Sequence, residues 1–308
     1  MMQKNIQFDQ KNKELIKPIL PGLPISVFAS SFSPESYTYV NWHWHEAFQY
    51  CYVTKGIVDF MLPGQIFTVT ECSGIFINYA QSHLIRCHDA AGSASYICVD
   101  VPPSFISYDE QSRIFLRYLK PVIDHPVPAA VLLSKHNKND QHILNCLTEI
   151  VDFIKSEENL IEIEIRIRVM QMWKDTFLKL ERSGSSNPNS FYNDDRLKAI
   201  FLFIREHYPE KITLDEIAEQ ISLSRSECSR YFKKMTGQSL FSYLTAYRLN
   251  KGIDLLRDTD MSIAEIAGAV GFCSQSYFTD CFRKEKGITP NKYKALSTRI
   301  AANVLKIE

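Results

Sequence analysis

The sequence predicts a multidomain α+β protein with a β-rich N-terminal half and an all-α C-terminal half. Three observations predict it. Short β-rich runs separated by turn residues fill residues 25–105, amphipathic helical patterns fill the later part of the chain, and two stretches of that later part repeat each other. A length of 308 residues agrees with about two cores, because single hydrophobic cores stop growing near about 250–300 residues.

The composition is that of an ordinary globular protein, with 45% hydrophobic residues and 35 basic residues against 35 acidic ones. A neutral chain gives no overall electrostatic argument for nucleic acid. The polar N-terminus lacks the apolar core of a signal peptide, and no stretch is long enough to cross a bilayer. We therefore expect a cytoplasmic protein without a membrane partner. The eight cysteines include no CxxC pair, which argues against a zinc ribbon or a redox motif.

Five short runs in the N-terminal half have the composition of β-strands, and lysine–glycine, proline–glycine and serine–glycine pairs separate several of them. The runs are Phe48–Val53, Ile57–Leu62, Ile66–Val69, Gly74–Ile77 and Tyr96–Val101. Such spacing predicts a compact antiparallel sandwich or barrel over residues 25–105.

Two helices are predicted between residues 139 and 182, and they suit a self-association surface. Residues 141–155 have a clear amphipathic pattern. Residues 161–169 alternate strictly between apolar and charged side chains, which favours a strand. However, Glu162 and Arg166 are opposite charges four residues apart, and apolar residues continue at helical spacing, so we predict a helix here.

A run of small polar turn formers over residues 183–190 predicts an interdomain linker, which we place at residues 183–193. It divides the chain into a first domain, residues 1–182, and a second domain, residues 194–296.

Two stretches after the linker, residues 214–237 and 263–287, match each other in order. Each predicts a short helix with an Ile-Ala pair, a tight turn, a second helix that begins at a serine able to cap it, and a glycine stop. This arrangement is a helix-turn-helix, whose second helix reads base edges in the major groove of DNA. Gly271 suits a turn residue with positive φ, and Ser222 occupies the same place in the first unit.

An apolar-rich stretch between the two units, residues 240–256, predicts a long helix that holds them at a fixed separation. A rigid spacer implies two successive major grooves on one face of the DNA, about 34 Å apart.

Residues 194–296 closely resemble the DNA-binding domain of the AraC/XylS family of bacterial transcription regulators. The matching positions span the whole stretch and include Ile217, Ala218, Ser224, Arg230, Tyr231, Phe232, Lys233, Lys234, Gly237, Tyr243, Arg248, Leu255, Leu256, Ile263, Ile266, Ala267, Gly271, Phe272, Ser276, Tyr277, Phe278, Phe282, Gly287, Thr289, Pro290 and Tyr293.

The resemblance implies that the exposed N-terminal part of each second helix reads bases. Carried over by position, the readers are Ser224, Arg225, Ser226, Ser229 and Arg230 in the first unit and Ser274, Gln275, Ser276, Tyr277 and Asp280 in the second. Arg225 or Arg230 could bind guanine with two hydrogen bonds, and Gln275 could do so with adenine. Lys233, Lys234, Arg283 and Lys284 are candidates for phosphate contacts. Asp280 departs from the family, where a basic residue is common.

The first domain resembles the cupin barrel, whose first motif is His-x-His with Glu or Gln four residues later and whose second motif adds another His. Here the matching residues are His43, His45, Gln49 and His83. They could bind a divalent metal, but Gln49 replaces the usual anionic carboxylate. We therefore favour an effector pocket formed by these four residues and Trp44, or purely structural histidines, and predict no cofactor.

Taken together, these expectations describe a homodimeric regulator that binds duplex DNA and responds to a small-molecule effector, with a sugar as one candidate. RNA polymerase is a further candidate partner. The alternative is a metal-dependent cupin enzyme with an appended DNA-binding module, and a third option is a regulator whose barrel has no ligand.

Overall fold

A computed structural model describes residues 18–19, 22–33, 39–89, 92–124, 128–155, 160–183 and 195–295. The chain divides into two compact units, Met1–Asp195 and Arg196–Glu308. The predicted linker lies outside the described residues except for Ser183, which ends a helix. No helix in the described ranges is both long enough and apolar enough to span a membrane.

In its described part, the first unit contains nine β-strands. They are β1 Ser26–Phe32, β2 Tyr39–His43, β3 Phe48–Lys55, β4 Ile57–Leu62, β5 Gln65–Thr70, β6 Gly74–Ile77, β7 His83–Cys87, β8 Ala94–Val101 and β9 Ala130–Leu133. The five predicted runs correspond to β3, β4, β5, β6 and β8, while β1, β2, β7 and β9 lie outside those runs.

The strands form two antiparallel sheets. One has five strands in the order β1-β8-β3-β6-β9, and the other has four in the order β2-β7-β4-β5. The predicted fold class, a sheet-rich domain followed by a helical one, is confirmed. Among the described strands no ladder joins one sheet to the other, so the barrel-like domain is open and has the form of a two-sheet sandwich.

Helices follow the sheets in the first unit. They are α1 Pro103–Ile106, a π-helical turn Phe115–Leu119, α2 Lys120–Asp124, α3 Lys138–Lys155 and α4 Ile161–Ser183. The prediction of a helix for the alternating segment is correct. Buried Ile165, Val169 and Met172 follow helical spacing along α4, and Arg168 forms an ion pair with Glu164 one turn earlier, at 3.3 Å.

Hydrophobic side chains cover both faces of the five-stranded sheet. On one face the two sheets meet, as shown by Phe60 and Tyr96, whose ring centroids lie 6.0 Å apart. On the other face α3 and α4 pack on the sheet, and the rings of Phe48 and Trp173 are 4.4 Å apart. This burial on both faces explains why β3 and β8 are nearly continuous apolar runs.

The second unit is helical throughout its described part. Its helices are α5 Asp195–His207, α6 Leu214–Gln220, α7 Arg225–Thr236, α8 Leu240–Asp258, α9 Ile263–Ala269 and α10 Gln275–Lys286. Helices α6 and α7 form the first helix-turn-helix, α9 and α10 form the second, and α8 is the spacer helix. Phe232 on α7 packs against Tyr243 on α8 at 5.6 Å between ring centroids.

Candidate nucleic-acid interface and buried histidine site

The turns of the two helix-turn-helix units share one backbone conformation. Gly271 has φ +83°, and Ser222 has φ +53° at the matching place. A Cβ on Gly271 would lie only 2.5 Å from the carbonyl oxygen of Tyr208, so glycine is required both by the torsion and by the close approach of the backbone. The expectation of positive φ at both positions is confirmed.

Both second helices begin at a serine N-cap. Ser224 Oγ accepts a hydrogen bond from the backbone N–H of Glu227, and the Glu227 carboxylate accepts one from the backbone N–H of Ser224, at 3.0 Å. The hydrogen bond from the Ser224 side chain is the main reason that the pKa of Glu227 lies below its usual value. Ser274 likewise accepts from the backbone N–H of Tyr277. These two serines therefore cap the second helices of the two units, here called the reading helices. Because their side chains are used in capping, they are less available for contacts with bases.

Helix α7 buries one face and exposes the other. Cys228 and Phe232 are fully buried against the rest of the unit. All seven residues predicted to contact DNA in the first unit are exposed, namely Ser224, Arg225, Ser226, Ser229, Arg230, Lys233 and Lys234. Arg225 also approaches Asp215 to 3.7 Å, but both side chains are exposed, and such a pair contributes little and can open.

Helix α10 repeats this arrangement. Phe278 and Phe282 are fully buried, while the residues predicted to contact DNA in the second unit all face solvent. The exposed set is Ser274, Gln275, Ser276, Tyr277, Asp280, Arg283 and Lys284. Each unit thus presents a polar N-terminal surface on its second helix, followed by basic residues one or two turns later, which suits base contacts and phosphate contacts respectively.

Three imidazoles meet in the first unit between the two sheets. His43 and His83 are direct partners in the ladder between β2 and β7, and His45 follows β2. Their ring centroids are 4.1 Å apart for His43 and His83 and 5.2 Å apart for His45 and His83. All three residues are at most 1% exposed. One candidate ligand atom from each lies within 4.8 Å of the other two.

Gln49 reaches the same place, together with a residue that the sequence did not indicate. The Gln49 side-chain amide donates a hydrogen bond of 2.9 Å to the carboxylate of Asp100, its direct partner across the ladder between β3 and β8. The same carboxylate lies 3.9 Å from Nε2 of His45. Gln49 and Asp100 are both fully buried, whereas Trp44, the fifth predicted effector residue, is only half-buried. The structure therefore adds a buried carboxyl group to the predicted set.

A cysteine, a histidine and an aspartate also line up between α3 and α4. Nδ1 of His142 is 2.5 Å from the Asp175 carboxylate, and the Cys146 sulfur is 4.0 Å from Nε2 of His142. Burial raises the pKa of the Cys146 thiol to about 11. The sulfur is therefore protonated at neutral pH and unsuited to act as a nucleophile.

Two family models match this chain. Residues 24–167 match the AraC-like ligand binding domain, and residues 217–295 match a helix-turn-helix domain. The two matches cover the sheet-rich domain with the buried histidines and both helix-turn-helix units.

Similar proteins match along nearly the whole chain. The HTH-type transcriptional regulator YdeC of Bacillus subtilis (strain 168) is 31% identical over 96% of this chain and 100% of its own length. The HTH-type transcriptional activator RhaS of Klebsiella pneumoniae (strain 342) is 28% identical over 88% of this chain and 89% of its own. Among solved structures, ToxT from Vibrio cholerae O395 aligns with a TM-score of 0.46 at 17% identity, over 89% of this chain and 98% of that one.

Proposed function

Because the chain belongs to the AraC family of transcriptional regulators, we propose that it binds specific duplex DNA through α7 and α10 and that a small ligand in its N-terminal domain controls this binding. The expectation of a regulator rather than an enzyme is confirmed by the relatives, which sets aside a metal-dependent enzyme with an appended DNA-binding module.

The observation that carries the proposal is the pair of matched second helices. Each of these helices begins at a serine N-cap and packs on the domain through two buried side chains, which are aromatic or, for Cys228, a thiol. Each exposes polar residues at its N-terminal end. In a helix-turn-helix this end enters the major groove. Arg230 is suited to guanine and Gln275 to adenine, because each can form two hydrogen bonds to that base in the major groove.

The ligand-responsive part of the proposal concerns the sheet-rich domain. A ligand changes DNA binding only if it favours one arrangement of the protein over another. His43, His45, Gln49 and His83 converge there and are the proposed binding residues, with Trp44 beside them. A sugar is the effector class that the family resemblance suggests. A sugar that binds the folded protein specifically should raise its melting temperature as the sugar concentration exceeds Kd.

A homodimer is the proposed assembly. Helix α4 carries Ile163 and Ile167 on its surface, with Leu160 just before it, and they are 55%, 41% and 65% exposed. These residues are three and four positions apart, so they form one apolar stripe that a second copy could cover. Because acidic and basic residues nearly balance in the DNA-binding domain, linking two such domains would raise affinity through effective concentration. RNA polymerase stays a predicted partner.

A mobility-shift competition tests the proposal directly. Full-length protein is titrated into the DNA upstream of its own gene, with unrelated duplex as competitor, and compared with Arg230→Ala and Gln275→Ala. We expect each variant to bind about 10–100-fold more weakly and to discriminate less against the competitor. If wild type binds both DNAs equally, the proposed function is wrong.

A further inference from the structure

We infer that Arg248 and the loop at residues 208–210 form a joint that fixes the second reading helix, α10, in position relative to the first, α7. Arg248 is then a positioning residue for DNA recognition. The inference rests on the proposed function, since the relative position of the two helices matters for recognition only if both bind DNA. The joint itself belongs to the folded protein and can be measured without DNA.

The guanidinium of Arg248, on α8, holds the loop that follows α5. Its Nε donates a hydrogen bond of 2.7 Å to the carbonyl oxygen of Tyr208, and its Nη2 donates one of 2.6 Å to the carbonyl oxygen of Glu210. Hydrogen bonds from a charged donor are roughly twice as strong as neutral ones, and the planar fork of arginine reaches two acceptors at once. The 208–210 loop is therefore tied to α8 at two points.

The turn of the second helix-turn-helix lies against the same loop. A Cβ on Gly271 would lie 2.5 Å from the carbonyl oxygen of Tyr208 and 2.7 Å from that of Pro209. The Tyr208 oxygen thus accepts from Arg248 and also approaches Gly271 closely. Tyr277, in the first turn of α10, lies near enough to Arg248 to influence its pKa. The loop, α8 and the start of the second reading helix therefore meet at one place.

Helix α5 connects this place to the first reading helix. Phe201 on α5 packs against Phe232 on α7, with ring centroids 6.0 Å apart, and against Tyr243 on α8, at 5.2 Å. All three residues are buried. Just after α5, the ring of Tyr208 lies 5.3 Å from the ring of Tyr247 on α8. Because protein interiors are close-packed, these contacts transmit the position of the loop to α7.

The loop supplies a contact that α8 alone does not. Helix α8 touches α10 where a Cβ on Gly252 would lie 2.8 Å from the ring of Phe278. Contacts made along a single helix fix a distance but oppose rotation about that helix only weakly. The contact between the loop and Gly271 comes from a second element, and contacts from two elements resist this rotation. Arg248 keeps that second element in place.

The test compares wild type with Arg248→Met on natural and respaced operators. The natural operator is the DNA that wild type protects upstream of its own gene, and the respaced ones have one or two base pairs inserted between the two protected grooves. Insertion should weaken wild-type binding by about 10–100-fold, because one reading helix loses its base contacts. It should weaken binding by Arg248→Met by less than about fivefold, because a second helix-turn-helix that is not held can adopt the altered position.

The ratio of the two affinities separates positioning from stability, because a general loss of folded protein weakens binding to both operators equally. Arg257→Met is the matched control. Arg257 lies on the same helix and donates to Asp254 and Asp258 of that helix, so its substitution removes the same charge and should keep the wild-type response to respacing. If Arg248→Met fails to fold, Arg248→Lys replaces it. Lysine keeps the charge but lacks the fork that spans both carbonyls, so the ratio should change in the same direction.

Hydrogen exchange followed by mass spectrometry tests the joint without DNA. The backbone N–H groups of Gly271 and Phe272 donate to carbonyls of α9, at 3.1 and 2.9 Å. In Arg248→Met they should exchange about tenfold faster or more, because loss of a charged hydrogen bond lets the loop leave the turn. The amide of Phe232 in α7 should exchange at the wild-type rate.

Equal responses of wild type and the Arg248 variant to respacing, or unchanged exchange at Gly271 and Phe272, overturn the inference and leave the proposed function intact. If wild type binds no DNA specifically, the proposed function is wrong, and the exchange rates alone then decide whether the joint exists.

Discussion

Arg230 stands on the exposed face of α7, and Lys233 and Lys234 follow it one turn later on the same helix. This spacing puts a side chain suited to base edges and two suited to phosphates on neighbouring parts of one surface. The two kinds of contact respond differently to mutation, because only base contacts carry sequence information. The surface therefore offers a test at the level of single side chains.

Arg230→Lys keeps the positive charge but removes the planar fork that can bind guanine with two hydrogen bonds. We expect it to lose about 1–3 kcal/mol of discrimination at one base position, measured by competition with single-substitution operators. Lys233→Ala should instead weaken binding to all sequences alike and lower the slope of log affinity against log salt by about 1. If Arg230→Lys weakens binding to all operator variants equally, Arg230 contacts phosphate only.

The residues of the buried site were predictable from sequence only in part. His43, His45, Gln49 and His83 follow a recognisable spacing, and the structure brings them together. Asp100 follows no such spacing, because the pairing of β3 with β8 is what places it opposite Gln49. The one available signal was a single carboxylate within the apolar run of β8, since a buried charge normally has a partner.

Among the elements, α4 shows how a misleading local pattern can be resolved. Its first nine residues alternate as a strand would, and only the opposite charges four residues apart and the continuing helical spacing predict a helix. Strands β1, β2, β7 and β9 lay outside the predicted runs for a different reason. They are short or mixed in polarity, and their ladder partners, which the local sequence does not reveal, hold them in the sheets.

The turn of the second helix-turn-helix provides a stability test with a built-in control. Gly271→Ala forces positive φ on alanine and places its Cβ against the carbonyl oxygen of Tyr208, so we expect a loss of more than about 1 kcal/mol in unfolding free energy. Gly268→Ala, three residues earlier in α9, meets nothing within 4 Å and should stabilise by up to about 1 kcal/mol. Urea unfolding followed by far-UV circular dichroism measures both. Similar effects of the two substitutions would contradict the account of the turn.

The capping boxes at the starts of three helices predict that the stability of the folded protein depends on pH. In the capping boxes of α6, α7 and α9, hydrogen bonds from Thr213, Ser224 and Ser262 lower the pKa of Glu216, Glu227 and Glu265 below the usual value of 4.5. A lowered pKa in the folded state means that the stabilisation is present above the usual value and disappears as the pH falls through the lowered one.

The matched variant replaces all three glutamates by glutamine, which still caps but does not titrate. The urea midpoint of wild type should fall more than that of the variant as the pH is lowered from neutral to about 3, because the stabilisation is lost below the usual pKa of 4.5. Equal decreases in the urea midpoint of the two proteins would show that these carboxylates do not stabilise the folded state through the helix caps.

At the scale of the whole molecule, the order of domains and their fold class were predictable from sequence, because the change from period-two to helical patterning is strong and the repeat is internal to the chain. The open form of the two sheets was not predictable, since barrel closure depends on ladders between strands distant in sequence. The family matches agree with this division, with the ligand-binding model on the sheets and the helix-turn-helix model on the repeat.

Self-association can be tested through the apolar stripe of α4. Replacing Ile163 and Ile167 with serine removes surface that two copies would bury, and each fully buried isoleucine contributes about 1.5–3 kcal/mol. We expect the dimer dissociation constant to rise more than about tenfold, measured by analytical ultracentrifugation. The control replaces exposed Ile57 and Ile66 on β4 and β5 in the same way and should leave the dimer intact. A monomeric wild type would contradict the proposed assembly.

The central claim is that two matched reading helices bind one face of specific duplex DNA. Hydroxyl-radical footprinting of full-length protein on the DNA upstream of its own gene tests it most directly. The account predicts that each DNA-binding domain protects two places centred about 34 Å apart on the same face, so that a dimer protects two such pairs. Arg230→Ala should weaken one place in each pair and Gln275→Ala the other. Protection at a single place, or none beyond that on unrelated DNA, would contradict it.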